Sequence, residues 1–122
     1  MMSNSDLKAK VAEIIDSKSK VELITDIIFA LDEKSNASKL RCIHALNKAW
    51  THMIRRGDLN LNKDCDKSQT WIRSAFEQSC DRLIAHISVE DKRVTNLALS
   101  TVVGFVVTIH ETNNEGNSNI NF

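Results

Sequence analysis

Residues 88–110 decide the fold: Ser88-Val89-Glu90-Asp91-Lys92-Arg93-Val94-Thr95-Asn96-Leu97-Ala98-Leu99-Ser100-Thr101-Val102-Val103-Gly104-Phe105-Val106-Val107-Thr108-Ile109-His110. Val94, Leu97, Ala98, Thr101, Phe105 and Ile109 recur at intervals of three and four, with one adjacent pair, which sets them on one face of an α-helix. Val102, Val103, Val106 and Val107 are β-branched and would also suit a strand. The unbroken stripe makes helix the reading.

An acidic start, a Lys-Arg pair and then a Val-x-x-Leu-Ala stripe is how many inner helices of stacked helical repeats begin. The second half of this helix is apolar nearly all round, so it expects neighbours on every side. Little sequence follows His110 to supply them. Val103 and Val107 lie opposite the inner stripe and are the candidate face for continuing polypeptide or for a partner.

Working outward, four more amphipathic segments precede this one. Residues 70–87 place Ile72, Phe76, Cys80, Leu83, Ile84 and Ile87 on one side. Residues 37–56 do the same with Leu40, Ile43, Leu46, Trp50, Met53 and Ile54. Arg55 and Arg56 fall in that helix's last turn, where cations complement the dipole, and Gly57 is a left-handed terminator. Residues 5–16 carry Leu7, Val11, Ile14 and Ile15. Residues 20–31 carry Val21, Ile24, Ile27, Ile28 and Leu31, with Ser19 and Glu22 forming a capping box. Ser88 and Asp91 are caps for the fifth helix, and His110 is placed to complement its end. The expected fold is all-α: about five antiparallel helices over residues 1–111, like the start of a HEAT- or armadillo-type solenoid. The Asn-rich, aperiodic residues 112–122 are expected to be a disordered tail.

Composition agrees. Proline is absent and glycine occurs three times among 122 residues, so little interrupts helices. Hydrophobic content of 42% and charged content of 26% are those of a globular domain. The formal net charge is zero, so any attraction to nucleic acid must come from a local patch. The N-terminus lacks a basic run followed by an apolar segment, so no secretory signal is read. The longest apolar stretch, residues 101–109, falls far short of the roughly 20 residues of a membrane span.

No G-x-S-x-G, H-E-x-x-H or phosphate-binding glycine loop is present, so no catalytic residue, no metal site and no cofactor is expected. Three cysteines, Cys42, Cys65 and Cys80, without a C-x-x-C pair argue against a zinc ribbon and a disulfide framework. Cys42 and Cys80 read as small core residues in a reducing compartment. The four histidines have no metal-ligand spacing and read as structural or surface groups. Residues 58–69 place oxygens at alternate positions, as a calcium loop does. They carry Lys63 where the turn glycine belongs and Gln69 where the bidentate acid belongs. Calcium-binding helix-loop-helix is therefore the lesser alternative.

One polar pattern stands out. Arg41, Lys48 and Arg55 repeat every seven residues and share an arc with His44, Thr51 and His52, with no acid between Lys39 and Arg56. Such a stripe can meet phosphates or an acidic partner. A plain solvated face is the competing reading.

Several short motifs carry a family resemblance: Arg56-Gly57-Asp58-Leu59 after a helix, Trp71-Ile72-Arg73 opening the next, Cys80-Asp81-Arg82-Leu83, and Val94-Thr95-Asn96-Leu97-Ala98-Leu99-Ser100 leading to Val103-Gly104-Phe105-Val106. In order and separation they resemble the N-terminal region of nucleolar complex protein 4 homologues, of the CCAAT-binding-factor family. The resemblance is clearest over residues 50–111. It implies a non-catalytic helical scaffold in ribosome biogenesis, acting in small-subunit pre-rRNA processing in the nucleolus. The implied partners are nucleolar protein 14, other proteins of that assembly and pre-rRNA, with no membrane. Family members are several times longer, and their carboxy-terminal domain has no counterpart here, so the chain reads as a truncated or partial product. A generic cytosolic adaptor that binds a peptide or helix in its groove is the alternative.

Overall fold

The computed structural model describes residues 3–32, 35–59, 67–86 and 91–118. Among these residues the chain is all-helical: α1 (Asn4–Asp16), a 3₁₀ segment (Lys18–Leu23), α2 (Ile24–Ala30), α3 (Asn36–Arg56), α4 (Lys67–Ala85) and α5 (Lys92–Ser118), with no strand.

Three of the helix starts have a side-chain cap. At α1 the Asp6 N–H donates to Ser3 Oγ at 3.1 Å, while Ser3 N–H donates to Asp6 Oδ2 at 3.2 Å, a reciprocal capping box. Ser35 caps α3 by accepting from Ser38 N–H. Asp91 caps α5 by accepting from Arg93 N–H at 2.8 Å. Ser88 lies outside the described residues. Gly57 ends α3 at φ 87°, a conformation that a Cβ would strain.

α3 is the central element. Its most extensive packing is on α5, followed by α1 and α2, while α4 lies against α5 and α2. Leu7, Ile14, Ile24, Ile27, Ile28, Leu31, Ile43, Leu46, Trp50, Met53, Leu83, Val94 and Phe105 form one continuous buried core. At its middle, Trp50 meets Phe76 edge-on with ring centroids 5.2 Å apart, and Phe76 meets Phe105 at 5.6 Å. Trp50 Nε1 donates to Ser79 Oγ at 2.9 Å, and that hydroxyl donates onward to Ala75 O at 2.9 Å. The buried indole N–H is thus satisfied, as it must be.

Several expectations are corrected. The second helix does not restart on a Ser19–Glu22 box. Ser17 takes the cap position, accepting from Ser19 N–H, and a 3₁₀ segment precedes α2. Ile84 is 54% exposed, because α4 buries Ile72, Phe76, Ser79 and Leu83 and residue 84 falls about 100° round from residue 83. Cys42 is buried, but Cys80 is only half-buried, at the edge of the same face. The connection after α3 is shorter than residues 58–69, since α4 already begins at Lys67. The tail expected from residue 112 is helical as far as Ser118, because extending an existing helix costs far less than nucleating one. His110 therefore sits inside α5 and does not complement its end.

The membrane-span expectation also changes. Lys92–Thr112 is 21 residues with a mean hydropathy of 1.3, long and apolar enough to cross a membrane by length and composition. Scattered Thr and Ser side chains, which end an apolar run, lower that average only slightly. In this fold the helix's inner side is core: Val94, Ala98 and Phe105 are fully buried.

Candidate functional site

A groove of about 670 Å³ runs between α1 and α3. Leu7, Val11, Ile15 and Ala45 form its apolar floor, and Lys8, Arg41, His44 and Lys48 stand along its rim with Asp16. The four basic rim side chains are exposed, whereas Leu7 and Val11 are buried. Helical periodicity produces this arrangement on both elements. On α1, Lys8 neighbours the Leu7–Val11 line. On α3, Arg41, His44 and Lys48 occupy successive turns beside Ala45.

The basic stripe read from the sequence is therefore divided. Arg41 and Lys48 face the groove, and Arg55, though exposed, is not part of its lining. Thr51 and His52 are half-buried, and Thr51 Oγ1 donates to Asn47 Oδ1 at 3.2 Å. Lys8 comes from a different helix and no spacing within α3 could have revealed it.

The groove's geometry depends on a polar latch at the far end of α3. Arg56 Nη1 donates to Ile14 O and Ile15 O, both at 3.1 Å, so it satisfies carbonyls at the end of α1 that have no partner within their own helix. Arg56 Nε donates to Asp58 Oδ2 at 2.8 Å, and Nη2 donates to the same oxygen. The Asp58 side chain is 3% exposed. Arg56 thus caps α1 rather than complementing only its own helix. It fixes α1 against α3 and with it the groove width.

A comparable latch joins the ends of α2 and α4. Arg82 Nη1 donates to both carboxylate oxygens of Asp32 at 2.6 Å and its guanidinium lies over the Phe29 ring at 5.4 Å. Buried His86 places Nδ1 2.7 Å from Arg82 O and Nε2 3.1 Å from Leu31 O. His86 is a structural histidine, in line with the sequence reading.

Among the described residues no three His, Cys, Asp or Glu side chains converge as a metal site. Burial and the nearby Asp81 and Glu77 carboxylates push the Cys80 thiol up to about 11, so it is protonated at neutral pH and a poor nucleophile. Most of the loop considered for calcium, residues 60–66, lies outside the described residues. A second recess, about 690 Å³, lies between the 3₁₀ segment and the start of α4, lined by Glu22, Asp58, Lys67 and Trp71. Its wall adjoins those same undescribed residues in sequence, so the α1–α3 groove is the better-defined surface. Val103 and Val107 are exposed at 52% and 48%, on the outward side of α5.

No protein-family model, curated protein or solved structure matches this chain.

Proposed function

We propose that this chain is a non-catalytic helical scaffold whose α1–α3 groove holds an acidic, amphipathic helix of a protein partner. The observation that carries the reading is the pairing of an apolar floor with a cationic rim drawn from two helices. An amphipathic helix buries its apolar stripe on such a floor, and acids flanking that stripe meet Lys8, Arg41 and Lys48. The rim charges are exposed, so they steer and select more than they bind. Arg55 lies outside the groove and serves as the internal control. The test is fluorescence anisotropy with a synthetic amphipathic helical peptide bearing Glu on both flanks. Lys8→Glu with Arg41→Glu and Lys48→Glu should weaken binding at least about tenfold, while Arg55→Glu leaves it within about twofold. Equal effects of the triple and single changes would sink the groove assignment.

The helix arrangement supports a solenoid-like scaffold. Contacts run from α1 to α3 to α5 in one series and from α2 to α4 in another, as in two stacked layers of hairpins. The end of α3 meets the end of α1 through Arg56, and the end of α4 meets the end of α2 through Arg82 and His86. Those joints are what alternating, antiparallel helices would make. The motif resemblance extends the reading to ribosome biogenesis, with a nucleolar pre-ribosomal partner. Its support is the order and separation of the quoted motifs over residues 50–111. Imaging of a tagged chain, with sequencing of co-purified RNA, tests it. A diffuse cytosolic protein carrying no pre-rRNA would leave the adaptor reading alone.

A further inference from the structure

A single imidazole joins two helix ends. His86 follows Ala85, the last residue of α4, and is buried. Its Nδ1 lies 2.7 Å from Arg82 O in the last turn of α4, and its Nε2 lies 3.1 Å from Leu31 O, at the residue that caps α2. Carbonyls at a helix end lack partners within their own helix. Both ring nitrogens therefore face acceptors. A neutral imidazole has one N–H and can donate to one of them, and its other nitrogen then turns a lone pair on a carbonyl oxygen. Only the imidazolium, with an N–H on each nitrogen, donates to both.

The surrounding charges tolerate a cation there. The C-termini of α2 and α4 converge on the ring, and each carries partial negative charge. The Arg82 guanidinium opposes a second positive charge, but Asp32, next to Leu31, neutralises it by accepting at 2.6 Å on both carboxylate oxygens. α5 begins with Lys92, flanked by Asp91 and Arg93, which pair with each other at 2.9 Å. α3 reaches α4 through the uncharged Trp50, at Ser79. On α4 the Cys80 thiol is pushed up to about 11, and carboxylates ordinarily titrate near pH 4. Between about pH 5.5 and 8 the histidines are the side chains that change charge, and the His86 ring bridges two helices.

We propose that His86 is a proton-operated clasp between the ends of α2 and α4, which holds both carbonyls when protonated and releases Leu31 O when neutral. The neutral ring keeps the shorter contact, to Arg82 O within its own last turn, so it is the end of α2 that loosens. The second bond exists only in the protonated ring. Its stabilisation is therefore present at the acidic end of the range and lost as pH rises.

Hydrogen exchange on the full chain, corrected for the intrinsic rate at each pH, reads the joint at the Leu31 and Asp32 amides. These donate to Ile28 O and Phe29 O in the last turn of α2. Their protection should rise about tenfold from about pH 8 to about pH 5.5, the factor expected of one added hydrogen bond from a charged group. His86→Gln keeps an uncharged donor, so it should remove that rise and leave circular dichroism unchanged. His44, His52 and His110 remain in the variant, so their titration cancels from the comparison. Ring-nitrogen NMR of the unaltered chain gives a reading that needs no variant. At about pH 5.5 it should show a proton on each His86 nitrogen. Protection that stays constant with pH, or that changes equally in His86→Gln, overturns the clasp. A His86 ring still neutral at about pH 5.5 overturns it as well.

Discussion

Replacing Arg56 with Met keeps an apolar stem of similar length and removes the guanidinium. Two hydrogen bonds to Ile14 O and Ile15 O and the ion pair with Asp58 are lost together. Hydrogen bonds to charged groups are each worth about 1.5–3 kcal/mol, and breaking a buried ion pair by removing one partner costs about 3–5 kcal/mol. The bonds act as one unit, so these figures do not add, and Asp58 keeps further interactions of its own. About 2–4 kcal/mol is the expected loss. At a urea m-value of roughly 1.5 kcal/mol/M for a domain of this size, the midpoint should fall by about 1.3–2.7 M. Arg56→Met with Asp58→Asn should recover part of the loss, since the buried charge left behind is then removed. Arg56→Met should also weaken peptide binding in the groove, because α1 is no longer held at its far end. A loss below about 1 kcal/mol, or strict additivity in the double mutant, would refute the latch as the joint between α1 and α3.

Phe105→Ala should cost about 3–5 kcal/mol, since the ring is fully buried against Phe76, whereas Val103→Ser with Val107→Ser should change monomer stability by only about 0.5 kcal/mol at each site; urea curves on dilute protein compare them. Asp6 and Asp91 lie below the ordinary carboxylate value of 3.8, held there by the Ser3 N–H and by the Arg93 guanidinium respectively. Their folded values are depressed, so the stabilisation is present above about pH 4 and fades as pH falls through the lower folded values. Urea midpoints at pH 7 and pH 3 should accordingly differ less in Asp6→Asn with Asp91→Asn than in the parent chain. Cys80 should alkylate slowly with iodoacetamide at pH 8 and speed up as pH approaches about 11, read by peptide mass spectrometry; rapid labelling at pH 8 would contradict its protonated state. Millimolar calcium should leave Tm unchanged, and a rise of several degrees would show that residues 58–69 bind the ion.

Helix identity was legible in the sequence because it depends on periodicity and on caps a few residues long. The Val94-to-Ile109 stripe, the α3 stripe ending in Gly57 and the Asp91 cap all take their form from intervals of three and four and from local bonds. Burial followed along the middle of the stripes, as at Ile43, Leu46, Trp50 and Met53, while Leu40, Leu97 and Ile109 are only partly buried. It failed at the margins, at Ile84 and Cys80, because the neighbouring helices set the width of the covered arc. The basic stripe was visible as Arg41, Lys48 and Arg55, yet its division into groove and open surface depends on where α1 lies. Lys8 and Arg56 belong to the groove and its joint only through contacts between residues more than thirty positions apart. Such contacts leave no period in the chain. Local hydrogen-bond geometry and helical repeat are written in neighbouring residues, so the sequence alone determined the elements and their apolar faces. The groove, its latch and the exposed outward side of α5 arise from how those faces close on one another, which only the tertiary structure decides.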